Sequence, residues 1–148
     1  PVNEPHALAF ETCIFTLHNQ MHEVFQMMAA KQGKKLIIRD RGRADCAAYL
    51  KGGEKHYESF FGLTLEETYE ASDAVLHFES LATGDPEKYE KKYDNGVRRE
   101  NLEEAIVAEH KTRAVWERHP DWTFITCKGG IPAKMERARE KIEELLQD

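Results

Sequence analysis

Lys34 to Leu50 reads KKLIIRDRGRADCAAYL, and the fold class turns on its first half. Leu36, Ile37 and Ile38 form a short apolar run bounded by charge. The run is too short for a helix and rich in β-branched side chains, the pattern of a buried strand over Lys35–Arg39. It ends in Arg39-Asp40-Arg41-Gly42, and Ala44 to Leu50 then has the composition of a helix. In an open α/β sheet ligands gather outside the ends of strands, so the Asp40–Arg41 pair at such an edge is a candidate site. The same residues also read as a strand-end ion pair, or as a helix cap shared with Asp45.

Ahead of this stretch, Phe10, Ile14, Leu17, Met21, Val24 and Met28 recur every three or four residues. That spacing predicts one long helix from about Ala7 to Lys31 with a buried face, stopped by Gly33. Beyond it, Ala74–Glu79 and Trp122–Cys127 are two more windows with strand character. Each is separated from the next by helical material, which is the βαβ pattern of a parallel sheet. Helix starts are well punctuated. Thr64 with Glu67 and Asn101 with Glu104 are box-like N-termini. Asp85-Pro86 offers a cap and a first-turn proline, His119-Pro120 ends the helix that Asn101 opens, and Pro132 opens a last helix with Met135, Ala138, Ile142 and Leu145 on its core face. The expectation is one compact α/β domain over 1–148.

Composition narrows the class. A chain of 148 residues is long enough to bury its own core without disulfides or metals. A charged fraction of 32% with a net charge of −6 fits a soluble protein and argues against generic nucleic-acid binding. Cys13, Cys46 and Cys127 are odd in number and form no CxxC pair, the pattern of reduced thiols in the cytoplasm. No apolar run approaches the ~18 residues of a membrane span, and the chain begins at Pro1 with no secretory or transit pattern.

Several segments carry chemistry-bearing residues. An Asp at a strand end can hold Mg²⁺ or accept a proton from an attacking hydroxyl, and a neighbouring Arg can brace phosphate oxygens with its planar fork. In Tyr89–Glu100, YEKKYDNGVRRE, the Asn95-Gly96 turn is followed by Arg98-Arg99 just before a helix. A lid over transferring phosphates would have that composition, and so would a solvated charged loop. His18 and His22 stand four apart on the first helix, but no Glu follows in the HExxH manner, so they read as a surface or core-edge pair. Gly52-Gly53-Glu54-Lys55 and Lys128-Gly129-Gly130 lack the GxxxxGK[ST] spacing of a phosphate loop. His119, Trp116 and Trp122 read as packing residues.

Taken in order, DRGxxDxxAY at Asp40–Tyr49, the strand AVLHFE, NxxRxE at Asn95–Glu100, WxxHP at Trp116–Pro120 and the strand WTFIT resemble one family. This is the P-loop, AAA-type ATPase/kinase domain related to nicotinamide riboside kinase and to the kinase-like GTP-binding domain of eukaryotic photoreceptor trafficking proteins. The resemblance runs from about Phe10 to Leu146. It implies a three-layer P-loop core with a parallel sheet, Mg²⁺ and ATP (or GTP) as cofactors, and a small-molecule acceptor. It implies that Asp40 stands near Mg²⁺ and the acceptor, that Arg41 faces the substrate or its phosphate, and that Arg98 belongs to a lid over the nucleotide at about 84–100, with Arg99 beside it. Thr126 and Lys128 would lie near the nucleotide. Glu11, in place of a more usual glutamine, would line the acceptor pocket with Arg41 and Asp45.

Such domains open with a strand, a GxxxxGK[ST] loop and its helix, and none of these lies in this chain. The chain is therefore expected to be the C-terminal part of a P-loop domain, with a hydrophobic sheet edge left for a protein partner or a second copy to cover. Three functions follow: a kinase-like phosphoryl transferase, a nucleotide-dependent switch, and a pseudo-enzyme acting by association.

Overall fold

The computed structural model describes residues 4–93 and 101–147. Two compact units divide the chain, Pro1–Asp73 and Ala74–Asp148, and each is taken by itself.

In the first unit, α1 (Glu4–Gln32) is followed by α2 (Asp45–Tyr49), α3 (Gly53–Phe61) and α4 (Leu65–Tyr69). Gly33 ends α1 in the left-handed conformation, φ +65°, where a Cβ would be penalised. The core forms where small side chains let α2 come close. Ala44, Cys46, Ala47 and Ala48 are buried beside Phe15, Tyr57, Leu65 and Tyr69. Phe15 of α1 stacks on Phe61 of α3 with centroids 4.0 Å apart, and meets Tyr57 edge-on at 6.0 Å. The Tyr57 hydroxyl, taken out of water, pairs with Thr68 Oγ1 at 2.7 Å, as a buried phenol must. Thr64 and Glu67 close their capping box: the Glu67 N–H donates to Thr64 Oγ1, and the Thr64 N–H donates to Glu67 Oε2 at 2.8 Å.

In the second unit, β1 (Val75–Phe78) and β2 (Trp122–Ile125) pair in parallel, with Val75 opposite Trp122 and Phe78 opposite Ile125. Between them lie α5 (Leu81–Gly84), α6 (Pro86–Tyr93) and α7 (Leu102–Trp116); α8 (Gly130–Leu145) follows β2. Asp85 Oδ1 accepts from the Lys88 N–H at the start of α6, and Asn101 and Glu104 form the second capping box. Ala82, Tyr89, Trp116, Ile125 and Ala138 are buried, together with His77 and His119. His119 is a packing residue with a defined partner, its Nδ1 accepting from the Asp121 N–H at 3.1 Å.

The structure corrects the expected architecture. The described residues are mostly helical, and their only sheet has two short strands, so this is no three-layer α/β P-loop core. Lys35–Arg39 is not a strand: residues 34–39 form neither helix nor ladder. The tripeptide has strand composition, but a strand exists only where a neighbour takes up its backbone groups, and none of the described residues does so. The apolar face of α1 is corrected with it. The periodicity forms the predicted helix, yet Phe10, Leu17, Met21, Val24 and Met28 are exposed and Ile14 is half-buried, and among the described apolar residues of α1 only Phe15, off the predicted stripe, is buried.

Candidate functional site

The segment from Arg39 to Tyr49 is fastened to α1 by two arginines, each with a different partner. Arg39 reaches His22 Nδ1 at 3.2 Å, and its other nitrogen donates to the Ala71 carbonyl and to Ser72 Oγ. Arg43 donates to Asn19 Oδ1 at 2.8 Å. Asn19 and His22 are three apart on α1 and so share a face. Between these anchors, Arg41 turns outward and is exposed. Its guanidinium lies 5.5 Å from the Tyr49 ring centroid, with Nη1 3.3 Å from the Tyr49 hydroxyl.

Arg41 is held in a conformation that arginine disfavours. Its φ is +66°, and among the described residues it is the one non-glycine at positive φ. A left-handed residue with a Cβ costs roughly 1–2 kcal/mol. The next residue explains how the turn is kept. The Gly42 N–H donates to Asp45 Oδ2 at 3.0 Å, and the Asp45 and Cys46 N–H groups return to the Gly42 and Arg43 carbonyls. Asp45 is buried, so its carboxylate is spent on the loop it helps to shape.

Glu11 lies on the buried side of α1, one face away from solvent. Burial pushes its carboxyl above the usual range, against the hydrogen bond of Cys46 and the charge of Arg41, and Asp45 adds to the rise. Burial likewise pushes the Cys46 thiol far up, making it an inert core residue. His18 is held below its ordinary value by burial and by Arg39, Arg41 and Arg43, with Asp45 opposing. For Arg41 burial works against the charge, but Tyr49, Asp45 and Asp40 outweigh it. The loop thus presents a fixed cation beside groups whose burial favours their neutral forms.

Asp40 is exposed beside Arg41. Among the described residues it joins no group of three metal-ligating side chains; the one such group is Glu54, Glu58 and Glu66, whose ligand atoms lie within 4.8 Å of one another. Asp40 can therefore supply one carboxylate. That is what a protein commonly gives a nucleotide-borne Mg²⁺ when phosphates and water fill its other positions. His18 and His22 join no such group either, and His22 is committed to Arg39.

The remaining candidates fall in the second unit or outside the described residues. Thr126 and Lys128 border an open cleft of about 690 Å³, lined also by Glu79, Gly84, Asp85, Lys88, Cys127, Gly129 and Gly130. Its loop is braced from behind: Glu79 Oε2 accepts the Cys127 N–H at 2.6 Å, and Arg137 donates to the Thr126 and Lys128 carbonyls. Gly84 is required there, because a Cβ would stand 2.6 Å from that of Cys127 and 2.8 Å from Glu79 Oε2. Sequence reasoning missed Glu79 and Arg137; the only signal was an acid at a strand end and a basic residue one helix turn or two into α8. Arg98 and Arg99, with the turn of the expected lid, lie outside the described residues.

Comparison of the chain with protein-family models, with curated proteins and with solved structures gave no match. No helix among the described residues is long and apolar enough to cross a membrane.

Proposed function

We propose that this chain carries the acceptor side of a cytoplasmic, nucleotide-dependent phosphotransferase that uses ATP or GTP with Mg²⁺ and acts on a small molecule rather than on nucleic acid. The observation that carries the reading is Arg41, an exposed cation kept at φ +66° by the Gly42–Asp45 turn. Strained non-glycine residues persist where the surroundings over-determine them, and they gather at sites of function. The resemblance of Asp40–Tyr49 to DRGxxDxxAY supports the same assignment, and the net charge of −6 speaks against a polyanionic substrate.

In this reading Arg41 braces phosphoryl oxygens, and its fork suits two of them at once. Asp40 accepts the proton of the attacking hydroxyl, or one position of the Mg²⁺ that the nucleotide brings. Glu11, a buried carboxyl on α1, lines the acceptor side, and Asp45 holds the loop. By the resemblance alone, Thr126, Lys128, Arg98 and Arg99 are the nucleotide-binding residues, and Arg98 and Arg99 lie outside the described residues.

Acceptor-dependent release of ADP or GDP by the full-length protein tests this. Asp40→Ala should abolish turnover while nucleotide binding survives. Arg41→Gly should lower kcat/KM by about 100-fold, as loss of a charge-stabilising donor does, while leaving stability within about 1 kcal/mol because the strain is relieved. Undiminished turnover in either variant would refute the roles given to these residues. Nucleotide binding without acceptor-dependent turnover would instead mark a switch.

A further inference from the structure

Residues 34–39 have strand composition and no strand partner. The Lys34 N–H closes α1 by donating to the Ala29 carbonyl, and the next backbone–backbone bond along the chain joins Asp45 to Gly42. The peptide groups of Lys35 to Arg39 therefore make no backbone bond among the described residues. Their side chains are uncovered on both sides: Ile38 is 72% exposed, Leu36 44% and Ile37 37%. The run borders a shallow groove of about 220 Å³ against Phe25, Met28 and Ala29 of α1. An apolar stretch with free N–H and C=O groups and a groove beside it is a template for an added strand.

The charges around it select the occupant. Lys34 and Lys35 precede the run and Arg39 follows it. A second copy pairing antiparallel about Ile37 would set Lys35 opposite Arg39, and like charges directly opposed destabilise a ladder. The complementary partner is an extended apolar segment with carboxylates at its ends. We propose that Leu36–Ile38 is a docking edge for a partner protein that adds such an acid-flanked strand, its apolar side chains resting on Phe25 and Met28.

A peptide copying residues 72–80 of this chain, SDAVLHFES, has the stated chemistry and serves as the probe, labelled for fluorescence anisotropy against the full chain. Saturable binding is expected, with slowed amide exchange at residues 36–38. Three changes should each weaken it. Ile37→Pro removes a ladder donor and should cost about fivefold to tenfold. Lys34→Glu with Lys35→Glu should cost a similar factor at low salt and less at high salt. A probe with its Asp and Glu replaced by lysine should bind no better than a scrambled peptide. Circular dichroism checks that the variants remain folded; Ile37→Pro is tolerable because its N–H has no backbone partner to lose. No saturable binding, or binding indifferent to all three changes, overturns the proposal. A dimer by light scattering that Ile37→Pro dissolves also overturns it, since the second copy would then be the occupant.

Discussion

Glu11 shows how one side chain can tie stability to pH. Its carboxyl is raised from an ordinary value of 4.5 by burial before anything else. The native state therefore binds this proton more tightly than the unfolded chain does. Stability from Glu11 is fully present below pH 4.5 and declines as pH rises through the higher native value. Glu11→Gln keeps the shape and a donor while removing the titration. Melting temperatures followed by circular dichroism upward from pH 4.5 should fall less steeply in Glu11→Gln than in the parent. Parallel slopes would show that Glu11 is solvated in the native state. At the same scale, the residue types of the candidate loop were legible in the sequence, since Asp, Arg and Gly in series mark a turn with charge. The left-handed Arg41 was not, because φ at 41 depends on Asp45 folding back onto the Gly42 N–H, a contact that spacing does not announce.

Among the elements, β1 and α7 are joined by a buried hydrogen-bonded pair. His77 Nε2 and Glu109 Oε1 are 3.1 Å apart, with side chains 7% and 10% exposed. Burial alone would raise the Glu109 carboxyl, but the hydrogen bond and charge of His77, with Ser80, carry it below 4.5. The sign is opposite to that of Glu11: this stability is present above pH 4.5 and is lost as pH falls through the depressed native value. Glu109→Ala should destabilise by about 1–3 kcal/mol, because it leaves the buried His77 Nε2 without its hydrogen-bond partner. Urea titration at neutral pH reads that loss, and the same titration toward acid should show the gap between variant and parent closing. A loss under about 1 kcal/mol would mean that water reaches His77. Elements set by local chemistry were readable: the capping boxes at Thr64 and Asn101, the Gly33 stop, and strands within Ala74–Glu79 and Trp122–Cys127. Lys35–Arg39 was misread because pairing is a property of two segments, and composition describes one. The helix Gly53–Phe61 was missed because Gly52-Gly53 reads as a loop, although its Tyr57 and Phe61 complete the aromatic core.

Across the whole molecule, the apolar side chains are divided between those that a neighbour covers and those that water meets. Periodicity announces a stripe on α1, but not which side of the helix finds a partner, and the two sets sit within a few residues of each other. Phe15 is 8% exposed and stacked on Phe61, whereas Leu17 is 52% exposed and Met28 48%. A −6 chain stays dispersed by self-repulsion while still showing this surface to a small apolar dye. The native protein at neutral pH should therefore enhance the fluorescence of anilinonaphthalene sulfonate without any loss of cooperative melting. Leu17→Gln combined with Met28→Gln should reduce that signal and shift stability by no more than about 0.5 kcal/mol, the usual range for surface substitutions. Phe15→Ala should do the reverse: it empties a packed site, costs about 3–5 kcal/mol, and raises dye binding by loosening α1 from α3. If instead the double glutamine variant melts as early as Phe15→Ala, Leu17 and Met28 belong to the core, and the exposed face of α1 is wrongly drawn.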